Sequence, residues 1–364
     1  MNHEFYMDLA LKLARSGYGQ AQPNPMVGAV IVKDGEIVGM GAHLKAGEPH
    51  AEVHAFAMAK EKAQGATLYV TLEPCSHFGR TPPCAEAVIR SGISKVVIAT
   101  LDPNPLVAGR GKRMLEEAGI EVLVGVRADE SRQLNEIFNC FITTKKPFVT
   151  IKTASTLDGK IATVTGSSRW ITSGEAREQV HHLRNVYQAI LVGVNTVIED
   201  NPELTTRLPD GGRNPIRVIL DSKLRTPMDA KVIIDRQAPT WIYTTFDAPE
   251  ARKEELEQQG IKVIPVCKGS RVEIPAVLSH LGEQGISSLL VEGGSQVNGA
   301  FLTAKAINKV ICYLSPKLVG GLGAPTPYGG IGVQEMNQAV QITNFTVTQV
   351  GRDVCIEGYP LWEA

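Results

Sequence analysis

Residues 66–100 read ATLYVTLEPCSHFGRTPPCAEAVIRSGISKVVIAT. The apolar run ATLYVTL has the length and β-branched content of a buried strand. A polar, Pro-rich loop with two cysteines follows. CAEAVIRSG then has helical spacing and stops at a glycine. KVVIAT is a second strand. Strand, helix and strand in succession predict an α/β layer whose helices cover a sheet.

The same alternation extends outward. Phe5 to Arg15 has helical spacing and ends at Gly17, and Val27–Val32 reads as a strand. Asp34-Gly35 is a hairpin turn into Glu36–Gly41. A helix is expected from about His50 to Ala63, with GKRMLEEAG a helix and EVLVGV a strand further on. A last helix, about Ala128 to Thr143, runs into Lys145-Lys146-Pro147, the best linker candidate. After it FVTIKTA, AILVGV, IRVILD, TWIYT, IKVIPV, SSLLVEGG and KVICYLS are strand-like. Helix-like stretches lie between some of them, at Gly174–Asn185, Pro249–Gln259 and Gln296–Ala304, and two antiparallel strands close the chain. The reading is two α/β domains, residues 1–145 and 146–364. Gly320–Gly332, GGLGAPTPYGGIG, reads as a surface loop or as a mobile flap over a site.

Composition narrows the class. The chain has 364 residues, 43% apolar and 21% charged, with formal net charge -1. This excludes a disordered chain, a collagen and a disulfide-stapled miniprotein. A near-neutral chain has no global field for gathering nucleic acid, so no nucleic-acid partner is expected. No apolar run approaches the roughly 18 residues of a membrane span. The first residues mix charge into apolar positions and do not read as a signal peptide. The cytoplasm is the expected compartment, with no membrane partner. In that reducing setting Cys140, Cys267, Cys312 and Cys355 read as small core residues. Cys75 and Cys84, close together in a polar loop, read as metal-binding or catalytic.

The chemistry concentrates there. His50 opens a helix, Cys75 follows a strand and Cys84 opens another helix. One imidazole and two thiolates leave a fourth tetrahedral position on zinc for water. Glu52, two residues after His50, is placed to move a proton from that water to a leaving amine. H-x-E followed by P-C-x-x-C is the general zinc-deaminase pattern, in which the Glu is not a ligand. Here eight residues, SHFGRTPP, separate the cysteines instead of two. His54 shares the face of His50 and is expected to be a packed helix residue; His77 is undecided between loop structure and substrate contact. A closed zinc site with one of them as fourth ligand is the structural alternative.

PNPMVGAVIVKDG (23–35), GEPHAEVHA (47–55) and TLEPCSHFGRTPPC (71–84) resemble the deaminase half of the bifunctional riboflavin-biosynthesis deaminase/reductase family. The long Cys–Cys spacing is that family's own pattern. KTASTLDGKIA (152–162), GSSRWITS (166–173), NTVIEDNPELTTR (195–207) and LLVEGGSQVNGAF (289–301) resemble its reductase half, which is related to dihydrofolate reductase. The resemblance implies a cytidine-deaminase-like α/β/α domain followed by a dihydrofolate-reductase-like α/β domain. It implies Zn2+ on His50, Cys75 and Cys84, and NADPH as hydride donor. The substrates would be small-molecule pyrimidine ribosyl phosphates, with a homo-oligomer left open. The cofactor would touch Ala154, Trp170, Thr196, Asp200, Ser222, Gly294, Ser295, Gln296, Val297, Asn298, Gly299 and Ala300. Substrate would touch Ser168, Arg184, Leu204, Arg207 and Glu292.

The residues themselves add detail. Glycines before the helix Gln296–Ala304 let backbone approach a pyrophosphate, and relatives of dihydrofolate reductase suggest a cis Gly293–Gly294 bond. Arg184 and Arg207 are expected to fork onto a phosphate. Lys152 is a candidate for polarising the ribosyl end, Asn24 for bonding the pyrimidine and Trp170 for flanking the nicotinamide. Ser222, Lys223 and Arg225 offer a hydroxyl and two cations to a 2′-phosphate. Asp158-Gly159 reads as a turn. Two other readings compete: a nucleic-acid base deaminase with an accessory domain, and a zinc-stabilised non-catalytic binding protein.

Overall fold

The computed structural model describes residues 2–76, 83–104 and 108–362, and the chain divides into two compact units, 1–145 and 146–364. Unit one has the order α1 (His3–Ala14), β1 (Gly28–Lys33), β2 (Glu36–Ala42), α2 (Ala51–Ala59), β3 (Thr67–Leu72), α3 (Cys84–Arg90), β4 (Lys95–Thr100), α4 (Arg110–Glu117), β5 (Glu121–Val124), α5 (Ala128–Leu134) and α6 (Glu136–Thr144). Among the described residues its sheet runs β2-β1-β3-β4-β5. The first two pairings are antiparallel and the last two parallel.

The two-residue period of the strands builds the sandwich. Ile31, Leu68 and Ile98 face α2 and α3 in one buried core. Val30, Tyr69 and Val97 face Met7, Ala10 and Leu11 of α1 in another. Burying each such aliphatic side chain contributes about 1.5–3 kcal/mol. The helix expected over Ala128–Thr143 is two helices, α5 and α6. Asn135 sits at the break, where its side chain accepts from the Met26 N–H at 2.8 Å and donates to the Met26 carbonyl at 2.9 Å. A tertiary contact outweighs helical continuity there.

Unit two contains β6 (Phe148–Thr156), α7 (Gly174–Val186), β7 (Ala189–Gly193), α8 (Val194–Asp200), β8 (Ile216–Leu220), α9 (Lys231–Ile234), β9 (Thr240–Thr245), α10 (Glu250–Gln258), β10 (Lys262–Cys267), α11 (Ile274–Glu283), β11 (Ser288–Gly293), α12 (Ser295–Thr303), β12 (Lys309–Ser315), β13 (Gln341–Val350) and β14 (Asp353–Leu361). Its sheet runs β10-β9-β8-β7-β11-β6-β12-β14-β13. The strands from β10 to β12 pair in parallel, and β14 and β13 add an antiparallel hairpin. Helix α8 and helix α11 did not stand out in the sequence. Val194 and Val197 of α8 bury against Ile190 and Ile219, while Val277 and Leu281 of α11 bury against Val218 and Leu289.

Candidate active sites

In unit one the three proposed ligands converge from separate elements. His50 is the N-cap of α2, with extended backbone (φ -72°, ψ 163°). Gly41 lets that helix lie close on β2, since a Cβ there would stand 2.1 Å from the Ala51 carbonyl oxygen. Cys75 follows β3, and Cys84 is the first residue of α3. His50 Nδ1 lies 3.2 Å from Cys84 Sγ and 3.7 Å from Cys75 Sγ, and the Cys84 N–H donates to Cys75 Sγ at 3.3 Å. All three ligand atoms lie within 4.8 Å of one another. A tetrahedral zinc about 2.0–2.3 Å from each would hold them roughly 3.5–3.8 Å apart, so the trio fits the ion.

The electrostatics point the same way. Cys75 accepts a hydrogen bond from Cys84 and lies beside His50, which holds its thiol down at about 4. Cys84, facing that thiolate and buried, is pushed far up. Without a cation one thiol of the pair keeps its proton; a divalent ion allows both to ionise. Glu52 is buried, and burial raises its carboxyl to about 7.

Neighbouring residues surround this trio. The Asn24 amide lies 3.1 Å from His43 Nε2, His43 Nδ1 lies 3.2 Å from the Pro49 carbonyl, and the His43 and His50 rings are 5.4 Å apart. Asn24 is therefore linked to the trio through His43. His43 was not singled out from the sequence, because nothing in its local pattern marks it. Glu73 was also missed: its buried carboxylate accepts from the backbone N–H groups of Asp102, Gly109 and Lys112, tying the start of α4 to the Cys75 segment. His54 is exposed on α2 and outside the trio, not packed as expected. His77 lies outside the described residues.

Unit two holds a cavity of about 1010 Å³. Lys152, Ala154, Ser168, Thr196, Asp200, Ser222, Glu292, Gly294, Ser295, Gln296, Val297, Asn298 and Ala300 all line it. The backbone N–H groups that start α12 and the glycines before them suit a pyrophosphate. Lys223, Arg225 and Arg271 line the same cavity, giving it the cations a nucleotide needs. Ser222 Oγ accepts from the Val272 N–H at 3.0 Å, which sets Lys223 and Arg271 on either side of one hydrogen bond. Arg271 escaped the sequence reading because its proximity to Ser222 is purely tertiary. The residues present fit NADPH.

Several of the expected residues lie outside the cavity lining or are already paired within the fold. Arg184 is buried and its fork is already used: Nε and Nη2 donate to Glu292 at 2.7 and 2.9 Å, and Nη1 donates to the Thr205 carbonyl. A buried guanidinium must be paired, and Glu292 supplies the carboxylate. Arg207 is exposed and pairs with Glu203 at 2.6 Å, outside the cavity lining. Leu204 is buried with Val197, Ile219 and Val232, so its side chain does not reach the cavity. Trp170 is 63% exposed and does not line the cavity; the Arg177 guanidinium covers its ring at 4.5 Å. Gly299 faces away too, since a Cβ there would meet the Gly329 carbonyl oxygen at 2.1 Å.

Gly293–Gly294 is not a cis bond; the cis bonds among the described residues are Gln22–Pro23 and Arg169–Trp170. Gly293 turns the chain with φ +92° instead, a conformation glycine adopts at no steric cost. Asp221 is fully buried, accepting from the Thr226 N–H at 2.7 Å and its hydroxyl at 2.8 Å, so it shapes the turn carrying Ser222.

A buried cluster borders the cavity. Lys152 Nζ lies 3.7 Å from Glu292, whose carboxylate also holds Arg184. Burial opposes the Glu292 charge, but Arg184 and Lys152 overcome it and hold the carboxyl at about 2. Burial lowers Lys152, with Glu292 opposing the shift and Arg184 adding to it.

Residues 147–356 match the RibD C-terminal domain, and residues 1–100 match the cytidine and deoxycytidylate deaminase zinc-binding region. The chain belongs to the RibD family. It is 52% identical to the riboflavin biosynthesis protein RibD of Bacillus amyloliquefaciens over 357 residues, covering 98% of this chain and 96% of that protein. RibD of Aquifex aeolicus is 49% identical over 96% of both chains. The solved structure of Acinetobacter baumannii RibD superposes with a TM-score of 0.88 at 38% identity, covering 99% of each chain. A diaminohydroxyphosphoribosylaminopyrimidine deaminase/5-amino-6-(5-phosphoribosylamino)uracil reductase from Thermotoga maritima gives 0.85 at 40%, again covering 99% of each. As a RibD family member the chain is a bifunctional enzyme of riboflavin biosynthesis, with a cytidine-deaminase-like unit followed by a dihydrofolate-reductase-like unit. Its cofactors are zinc and NADPH. The two competing readings leave the match to the RibD C-terminal domain unexplained.

Proposed function

We propose that the N-terminal unit deaminates 2,5-diamino-6-ribosylamino-4(3H)-pyrimidinone 5′-phosphate. The C-terminal unit then reduces the ribosyl group, giving 5-amino-6-ribitylaminouracil 5′-phosphate. The observation that carries this reading is the meeting of His50, Cys75 and Cys84 beside buried Glu52, in a chain whose other unit holds a nucleotide-sized cavity.

Zinc, when bound, supplies hydroxide at neutral pH. Glu52, with its carboxyl raised to about 7 by burial, both accepts and returns a proton near neutrality. Asn24 holds the pyrimidine edge. NADPH, when bound, supplies a hydride. Gly294 to Asn298 hold its phosphates, and Lys152 polarises the ribosyl end from the wall it shares with Glu292. Deamination comes first, because the deaminated ring carries a carbonyl where the amine was. A site built to bond one rejects the other strongly. Small pyrimidine nucleotides are the partners, and the cytoplasm is the compartment. Supporting this, no helix among the described residues is long and apolar enough to cross a membrane, and the described cysteines are free thiols.

The test gives Cys84→Ser each substrate in turn. Zinc and ammonia release are lost, while reduction of supplied deaminated substrate continues. Loss of both activities in a folded protein would show that the two chemistries depend on each other.

The cations of the cavity predict a preference for NADPH over NADH. A hydrogen bond to a charged group contributes about 1.5–3 kcal/mol, so Ser222→Ala combined with Lys223→Ala and Arg225→Ala lowers the NADPH/NADH ratio of kcat/KM by roughly 10–100-fold. Adding Arg271→Ala lowers it further. An unchanged ratio in the quadruple variant removes the assignment of a 2′-phosphate to this end.

A further inference from the structure

The Gly-rich segment after β12 has no role in the chemistry above, yet it walls the cavity: Gly323, Pro325 and Pro327 line it together with the start of α12. Two sets of contacts hold it. On one side lies the turn after β6. The Leu157 N–H donates to the Lys317 carbonyl at 2.9 Å, and the Ile161 N–H donates to the Pro325 carbonyl at 3.0 Å. Between them the Asp158 carboxylate accepts the Val319 N–H at 3.2 Å and the Gly320 N–H at 2.7 Å. On the other side lies α12. Asn298 Nδ2 donates to the Pro327 carbonyl at 2.9 Å, and the Gly329 N–H donates to the Ser295 carbonyl at 2.9 Å.

We propose that Asp158 is a positioning residue for the reductase, fixing residues 317–329 as a standing cavity wall against the N-terminus of α12 and so setting the affinity for the dinucleotide. The proposal rests on the placement of NADPH in this cavity. Asp158 is the contact to choose because its carboxylate takes two successive backbone amides, while Lys160 Nζ reaches only the Ala324 carbonyl further along. Leu318 and Leu322 are exposed, and Gly320 and Gly321 take φ +67° and +84°. Residues 318–322, unlike Ala324 and Tyr328 further on, have no buried apolar side chain and depend on directional hydrogen bonds to keep their place. The Thr156 hydroxyl and the two amides hold the Asp158 carboxyl at about 2, so it is an ionised acceptor at any working pH. The segment reads from sequence as a loop or a flap; the contacts make it a wall latched on both sides.

The test uses the full chain with Asp158→Asn, which keeps the size and one acceptor, and Asp158→Ala. Four quantities are followed: the Kd of NADP+ by calorimetry, KM and kcat for NADPH, ammonia release, and amide exchange over 317–329. In Asp158→Ala exchange in the segment accelerates. The Kd and the NADPH KM rise together about tenfold, kcat stays within about threefold, and ammonia release is unchanged. Asp158→Asn falls between Ala and the native protein. An NADP+ Kd within twofold of native despite faster exchange overturns the proposal, as does a fall in kcat at constant KM. Unchanged exchange in Asp158→Ala shows that the carboxylate is not the latch. If the native protein itself fails to bind NADP+, the placement of the cofactor fails instead.

Discussion

Glu52→Gln releases ammonia about 10²–10⁴-fold more slowly than the native enzyme while still carrying zinc. The amide matches the carboxylate in size and still accepts a hydrogen bond, but it cannot take a proton and return it. Glu52 is not one of the three clustered ligand atoms, so the metal site survives. Cys75→Ser contrasts with it, losing the metal along with the activity. Metal analysis beside an ammonia assay separates the two cases. Near-native turnover by zinc-loaded Glu52→Gln would remove the proton-transfer role.

Glu292→Ala acts on the other unit and acts on stability as well. It leaves Arg184 and Lys152 charged, sequestered and without their carboxylate. Breaking a buried pair by removing one partner costs roughly 3–5 kcal/mol. The variant therefore loses reduction and unfolds its C-terminal unit at lower denaturant, while ammonia release from the N-terminal unit persists. Denaturant unfolding followed by reductase and deaminase assays reads both effects; a native midpoint would show that the cluster adds no net stability.

The same cluster sets an acid limit. Glu292 titrates at about 2 in the folded chain against 4.5 as its ordinary value, so its contribution is full above 4.5 and is lost as pH falls through 2. Burial, Arg184 and Arg207 hold His181 at about 4 against 6.5. Its contribution is complete above 6.5 and falls away as pH drops through 4, because the unfolded chain takes the proton first. His181→Gln flattens stability against pH across that window in equilibrium unfolding.

The sequence by itself determined the zinc chemistry and most of the strand framework. His50 and Glu52 are neighbours on one helix start, and Cys75 and Cys84 flank one loop. Local spacing therefore holds most of that geometry, and the two-residue period of the strands carries the sandwich. The glycines and first turn of α12 were legible for the same reason, since a helix N-terminus is a local object.

Only the tertiary structure decided which charges were available. Arg184 looked like a phosphate ligand until Glu292, 108 residues away, took its fork. Asp158 lies in the turn read from the sequence, but only the fold brings the Val319 and Gly320 amides to its carboxylate. A charged or polar side chain bonds whatever complementary group the fold brings within about 3 Å. Burial then makes that pairing obligatory, and neither condition is written in the residues on either side.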